Sequence, residues 1–391
     1  MKIKKAVAFL LTATILLSAV SIYGFAADRE SLKFNGGEFR IMVFTDIHES
    51  KESSGCARQI MSEALDKYSP DLVVLLGDNT TAETLEEHET LIKRITEPMT
   101  SRNIPYAAVF GNHDDSQGKV SKEELLKIYQ KYGCLSYDAD PAIYGCGNFN
   151  LPIMSSDGAK PVFNLWFLDS GSDNPDKTVR GYDYISADQI AWYKETAVKL
   201  KEENGGKTVP ALSFQHIIIP EVYDVLYPEL PISLGKATSN YNGKSYSLIP
   251  FFGGYSGFVF EPPQPPLGDP NGELSAWKEV GDVMASFSGH DHVNSFEANV
   301  DGVDIVCIPT VHNNKYSSNL NRGAGLITIK EDSPNSYDYK LVRASDLALE
   351  KQSKICETEG STGKFVYYLA SGFADACLIF QKLINKIIYR F

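Results

Sequence analysis

The chain has 391 residues, 43% hydrophobic and 22% charged, a size for one large or two ordinary domains and a balance that excludes a disordered or fibrous protein. Its 50 acidic residues outnumber 37 lysines and arginines, and a formal charge of −13 argues against general nucleic-acid binding, since phosphate contacts need a basic surface. Six cysteines without a CxxC pair argue against a disulfide scaffold, a zinc ribbon or a thioredoxin-like redox site.

The chain begins with an export pattern. Lys2, Lys4 and Lys5 make a positive start, an apolar run extends from Ala6 to Val20, and Gly24-Phe25-Ala26 sets small residues at a cleavage position. Residues 1–26 are expected to be a secretory signal peptide, which places the protein outside the cytoplasm, secreted or at the cell envelope. An uncleaved anchor is the alternative, against which the run is shorter than the ~20 residues of a spanning helix. All six cysteines then lie in a disulfide-permissive compartment, and Cys134 and Cys146 are candidates to close a small loop.

Residues 34–345 alternate apolar strands with amphipathic helices. Short runs rich in Val, Ile, Leu and Phe predict strands at 39–45, 72–76, 106–110, 162–168, 211–214, 285–287, 303–308 and 325–329. Thr84 with Glu87, Ser121 with Glu124, and Ser186 with Gln189 each fit a capping box at a helix start. A helix beginning near Gly55 closes at Pro70, and the helix after Ser186 stops at Asn204-Gly205-Gly206.

Between Pro220 and Pro270 the rhythm breaks: nine prolines and five tyrosines include the run Pro262-Pro263-Gln264-Pro265-Pro266. Prolines at this density are expected to exclude regular core elements. The segment reads as the rim of a substrate pocket, with a solvated connector as the plainer alternative. At the other end, residues 364–391 are largely apolar and free of proline, with Ser371, Asp375, Lys382, Lys386 and Arg390 near one side at helical spacing. This predicts an amphipathic helix that either meets anionic lipid or docks on the protein body; the charges argue against a spanning helix.

The chemistry gathers where strands end. Asp46-Ile47-His48, Gly77-Asp78-Asn79, Gly111-Asn112-His113-Asp114, Gln215-His216 and Gly289-His290-Asp291-His292 each follow an apolar run. Five of the seven histidines sit in these blocks. Sites in open α/β sheets form beyond the carboxyl ends of strands. Asp46, His48, Asp78, Asn112, His216, His290 and His292 offer imidazole, carboxylate and carboxamide without thiolate, a set that suits Mn, Fe or Zn. Seven donors exceed one ion. Two ions ~3.5–4 Å apart that share a carboxylate clamp both oxygens of an in-line displacement and acidify a bound water. His88, within Glu86-Glu87-His88-Glu89, reads as a solvated side chain. His312 reads more readily as structural than as part of a pocket, and Asp169-Ser170-Gly171 as a supporting turn.

Taken in order, Asp46-x-His48, Gly77-Asp78, Gly111-Asn112-His113-Asp114, His216 and Gly289-His290-x-His292 resemble the calcineurin-like metallophosphoesterase superfamily over about residues 38–330. The resemblance implies an α/β (α+β) fold, a four-layer αββα sandwich of two mixed β-sheets flanked by helices, with the metal site at strand C-terminal ends. It implies that Asp46, His48 and His292 hold one divalent ion, that Asn112, His216 and His290 hold a second, and that Asp78 bridges them. His113 would face the substrate, steady phosphoryl oxygens and protonate the leaving alkoxide, with Asp114 as its orienting neighbour. Tyr182-Asp183-Tyr184-Ile185, Gln189, Trp192 and the Gly289–Val293 run are similar to the branch of purple acid phosphatases and yeast Dcr2-type phosphatases. Where purple acid phosphatases carry an iron-binding tyrosine, this chain has Thr81, so a fixed ferric site is not implied. The implied function is an exported binuclear phosphoesterase acting through a metal-bound hydroxide, with monoesters slightly favoured. A phosphodiesterase on the same site and a non-catalytic cell-surface binding protein are the alternatives.

Overall fold

Local sequence signals set the elements of the computed structural model, which describes residues 31–347 except 116–118, 177, 179–180, 227–237, 242–243, 248–253, 314–315 and 319, together with 376, 379 and 380. The expected signal peptide and nearly all of the expected C-terminal helix lie outside the described residues. The chain divides into two units, Met1–Leu32 and Lys33–Phe391, and every element named below belongs to the second. In chain order these are β1 (Glu38–Phe44), α1 (Cys56–Tyr68), β2 (Leu72–Leu76), α2 (Leu85–Thr100), β3 (Tyr106–Val109), α3 (Lys122–Lys131), β4 (Phe149–Met154), β5 (Pro161–Phe167), α4 (Ala187–Glu203) and β6 (Ala211–Phe214). There follow α5 (Val222–Leu226), β7 (Thr238–Tyr241), β8 (Lys244–Ser247), β9 (Tyr255–Phe258), α6 (Glu273–Val280), β10 (Val283–Ser288), β11 (Ser295–Val300), β12 (Val303–Cys307), β13 (Gly323–Lys330) and β14 (Tyr337–Arg343).

Two mixed sheets result. The first runs β14-β13-β1-β2-β3, with β1, β2 and β3 parallel; the second runs β4-β5-β6-β10-β12-β11-β9, with β5, β6, β10 and β12 parallel. Strands buried on both faces read as unbroken apolar runs, as in the Leu-Val-Val-Leu-Leu of β2. Alternate residues then face opposite ways. Met42, Phe44, Val73 and Leu75 pack with Ile60 and Met61 of α1, Ile92 and Ile95 of α2, and Leu125 and Tyr129 of α3. On the second sheet, Trp166, Ala211 and Val283 pack with Tyr193 and Ala197 of α4 and Trp277 of α6.

Between the sheets, Phe149, Phe167, Phe214 and Phe287 sit opposite one another in register on four neighbouring strands. Their rings stack in sequence, with centroids 4.4, 5.2 and 5.5 Å apart. Phe287 then meets Tyr337 and Tyr339 of β14 in the other sheet, at 6.0 and 5.7 Å. This column joins the layers directly beneath the loops that carry the donor residues.

All eight predicted strands are present, and further ones join them. β4 was hidden by Pro152, which an edge strand tolerates, and β11 by the polar residues alternating through Ser295–Val300. The expectation that prolines exclude regular core elements from 220–270 is corrected by β9, which joins the seven-stranded sheet. α5, β7, β8 and β9 all form there, and β9 is the edge of the seven-stranded sheet. The prolines fall between these short elements rather than inside them. The capping boxes also differ. Ser186 and Gln189 make both halves of one, whereas Glu87 turns its carboxylate to the amide of Glu83 and to Lys51, leaving Thr84 a simple cap. Cys134 and Cys146 do not pair: both are buried thiols, and Cys56 is the disulfide-bonded cysteine among the described residues.

Phe214 stands between two stacked rings, and Phe214→Ala leaves a cavity that close-packed neighbours cannot collapse into. It is expected to lower the unfolding free energy by about 3–5 kcal/mol in a urea titration.

Candidate metal centre

The donor-bearing loops are forced into backbone shapes that side chains rarely adopt. Asp46 (φ 51°), His48 (φ 44°), Asp78 (φ 50°) and His290 (φ 68°) all lie in the left-handed region. Each such residue costs about 1–3 kcal/mol and persists only where its surroundings hold it. The surroundings here are hydrogen bonds from loop to loop. Asp46 N donates to Gly77 O (3.0 Å), His48 N to Asp78 O (2.9 Å), and Gly289 N to His216 O (3.0 Å). The last of these bonds ties β6 to β10, and Val311 N reaches from beyond β12 to Thr45 O in the other sheet (3.2 Å). The glycines of the motifs permit this approach: a Cβ on Gly111 would lie 2.2 Å from Asp78 Oδ1, and one on Gly289 1.9 Å from Thr45 Oγ1.

The loops bring the predicted donors together. Donor atoms of Asp46, His48, Asp78 and His292 lie within 4.8 Å of one another, as do those of Asp78, His216 and His290. Asp78 belongs to both groups. Asn112 stands in the loop after β3 with its Oδ1 buried and without a partner. His290 Nε2 is buried in the same way, while Asp46 Oδ1 and His216 Nε2 meet only other donors of the cluster, His292 Nε2 (3.2 Å) and Asp78 Oδ2 (3.4 Å). Buried polar atoms are almost always satisfied, so donors left open or facing only one another mark a site shaped for cations. The remaining atoms are fixed from behind. His216 Nδ1 bonds Leu76 O (2.8 Å) and His292 Nδ1 bonds Tyr316 O (3.1 Å), which points each Nε2 inward. Asp46 Oδ2 accepts from Thr45 Oγ1 (2.7 Å) and His290 N (3.0 Å), and Asp78 Oδ1 accepts from His113 N (2.8 Å).

The electrostatics ask for positive charge. Burial works to raise the Asp46 and Asp78 carboxyls, but neighbouring imidazoles, His292 and His216 foremost, hold both well below the usual carboxylate range. Burial pushes His48 down to about 4 and His290 down to about 3, so both are neutral, the form that ligates metal. Burial also opposes charge on His216, yet Asp78 and Asp46 lift it to about 10. His292 is raised against its burial by Asp46. Two carboxylates thus draw protons onto two imidazoles, and divalent ions would take over that charge balance.

Other expected residues fall around this centre. His113 is exposed, its ring 5.8 Å from that of His48. Asp114 is fully buried. Its carboxylate accepts from the amides of Asn79 (2.9 Å), Thr80 (3.2 Å) and Gly111 (2.8 Å), so it ties together the two loops that carry Asp78 and His113. His88 is not solvated. It has no exposed surface, and its Nδ1 meets Thr80 Oγ1 at 2.8 Å. The helical spacing of His88, Leu91, Ile92 and Ile95 puts it on the buried stripe of α2, a signal masked by its acidic neighbours. His312 reaches the pocket edge, 6.3 Å from the His48 ring, and Ser170 Oγ is taken up by the amide of Ile217 (3.0 Å). Thr81 Oγ1 lies 3.5 Å from His48 Nδ1.

The structure adds Tyr316 and Thr310, which no motif singled out. Tyr316 lies 4.7 Å from His292, ring to ring, and Thr310 Oγ1 bonds Asp46 O at 2.6 Å. Tyr182 meets His290 edge to face at 4.5 Å. The Pro-rich segment is laced to the same loop: Gln264 N donates to Asp291 Oδ1 (3.2 Å), and Phe260 N to Asn294 Oδ1 (2.9 Å).

The profile of the calcineurin-like phosphoesterases matches residues 39–294. The chain belongs to this family. A calcineurin-like phosphoesterase is a hydrolase acting on phosphate esters, and each of the two donor groups around Asp78 could hold a metal ion. "Probable inactive purple acid phosphatase 29" of Arabidopsis thaliana is 26% identical over 310 residues, 71% of this phosphoesterase and 73% of the relative. Phosphatase DCR2 of Saccharomyces cerevisiae is 28% identical over 215 residues, 48% of this chain and 36% of that protein. A solved dimetal phosphatase from Danio rerio covers 75% of this chain and 92% of its own, with TM-score 0.47 and 13% identity.

Gly111→Ala forces the loop after β3 away from Asp78. The variant is expected to keep its far-UV circular dichroism yet retain less than about a tenth of the wild-type metal after dialysis, as read by elemental analysis.

Proposed function

We propose that this phosphoesterase is an exported phosphomonoesterase that works with two divalent ions of the Mn, Fe or Zn class. The observation that carries the reading is the convergence of two groups of buried donor atoms on the shared carboxylate of Asp78. Asp46, His48, Asp78 and His292 would hold one ion, and Asp78, Asn112, His216 and His290 the other. Bound there, such ions supply Lewis-acid polarisation of the phosphoryl group and acidify water near neutral pH.

The chain's own residues supply the rest. The amide of His113 is anchored on Asp78 Oδ1, so its imidazole is carried at a set distance from the donor cluster and open to solvent. That position suits it to donate a proton to the departing alkoxide. Tyr182 and Tyr316 flank the cluster from two sides and would orient the ester's organic group. Relatives named phosphatases support monoesters over diesters. The leader pattern of residues 1–26 and the disulfide-bonded Cys56 support export. Residues 364–391 would add contact with anionic lipid, a reading supported by their basic residues and by Ile379 and Phe380, which are exposed.

A second reading keeps the fold as a surface binding protein without turnover; the word "inactive" in the name of the Arabidopsis relative favours it. The test strips the purified protein of metal, adds back Mn, Fe, Zn or Ca, and compares p-nitrophenyl phosphate with bis-p-nitrophenyl phosphate. Metal-dependent turnover of the monoester is expected, with Asp78→Asn lowering kcat about a hundredfold or more. Absence of turnover with every metal would favour the binding reading. His113→Ala is expected to lower kcat by about 10²–10⁴-fold, and by more for an alkyl phosphate than for p-nitrophenyl phosphate, whose leaving group needs less protonation.

A further inference from the structure

Away from the histidines, a void of about 10 Å³ lies where the loop after β6 meets the start of α6. That is the size of one water or one small ion. Asp183, Asp269, Glu273 and Gln215 are among the residues that line it. Two oxygens of these side chains are buried without a partner, Oε1 of Gln215 and Oε1 of Glu273. Neither residue is near the solvent, at 2% and 6% exposure. Gln215 spends its Nε2 on Ile217 O (3.1 Å) and on Glu273 Oε2 (3.4 Å), which leaves its carbonyl oxygen for the void. Behind this wall Glu221 hydrogen-bonds Asp269 and keeps Oε2 buried and unpartnered.

Among the described residues, no lysine or arginine pairs with Glu221, Asp269 or Glu273. Burial, then Asp269, pushes the Glu273 carboxyl well above its usual range, and the same causes lift Glu221 to about 7. Polar atoms are rarely buried unsatisfied, and buried charges are paired or coordinate metals. The donor set is all oxygen, carboxylate and carboxamide, without imidazole or thiolate. Such a set selects a hard cation that accepts many oxygen ligands in irregular geometry, rather than the nitrogen-seeking ions suited to the histidine cluster.

We propose that this void is a third cation site, of the calcium class, tying the loop after β6 to the start of α6. Gln215 directly precedes His216, and Asp183 directly follows Tyr182, whose ring abuts His290. An ion here would brace two segments that also shape the phosphoesterase centre, while sharing no ligand with it.

The experiment uses the full protein already loaded with its transition metals. Ca²⁺ is titrated calorimetrically, and thermal unfolding is followed with and without Ca²⁺. One Ca²⁺ per chain is expected, with Tm rising as Ca²⁺ is added. Glu273→Gln and Asp269→Asn should each weaken binding about tenfold or more and leave the transition-metal content unchanged. No Ca²⁺ binding by the wild-type protein, or binding of undiminished affinity in the variants, would overturn the proposal. Should Glu273→Gln fail to fold, Asp269→Asn decides alone, because Asp269 is half-buried and its replacement tests the ligand without disturbing the core.

Discussion

Two carboxylates, Asp46 and Asp78, are buried out of reach of water, and their ion-pair partners are histidines. Much of the architecture around them answers that constraint. A buried ionised carboxyl must be met by hydrogen-bond donors and by positive charge. The donors are backbone amides of neighbouring loops and the Thr45 hydroxyl, and they can reach only if the loops touch. Some of the closest loop contacts need glycine, as at Gly111 and Gly289, and Asp46, His48, Asp78 and His290 take their places from left-handed backbone. Strain at Asp46, His48, Asp78 and His290 is therefore part of how the charge is assembled.

The centre is also a junction. Asp46, His48, Asp78 and Asn112 follow strands of the five-stranded sheet, whereas His216, His290 and His292 follow strands of the other. Neither sheet alone completes a donor group around Asp78. The stacked phenylalanines and the contact of Phe287 with β14 set how the two sheets meet, so core packing acts on ligand geometry. Cations that bind the assembled centre and not the unfolded chain add their binding energy to the stability of that packing.

The molecule separates two kinds of cation chemistry. At the phosphoesterase centre, His216 and His292 are held with one nitrogen inward and the other bonded to a backbone carbonyl. At the void beside α6, the oxygens come from carboxylates and a carboxamide alone. Both are built on the loop after β6, where Gln215 and His216 take opposite chemical roles in adjacent positions. The Pro-rich segment is drawn in by Asp291 and Asn294, which places Glu261 beside Tyr316 and brings that segment close to the donors.

The donor residues were legible because each sits in a short block directly after an apolar run, and both the run and the block are local in sequence. The glycines within the blocks were legible for the same reason, as were the strands that are apolar throughout. Residues whose role depends on distant contacts were not. His88 lies among acids yet turns inward because α2 packs on a sheet, and Cys134 and Cys146 are near in sequence yet stay apart as thiols. β9 is a strand because β11 offers it an edge, which no pattern in Tyr255–Phe258 announces. The sequence by itself determined the fold class, the order of the blocks and the type of chemistry, since apolar period and donor type are properties of single segments. Tertiary structure alone decided that Asp114 serves the backbone, that Tyr316 and Thr310 support the centre, and that Gln215, Asp269 and Glu273 share one void. These depend on which loops meet in space, and that is set by the packing of two sheets rather than by any segment of the chain.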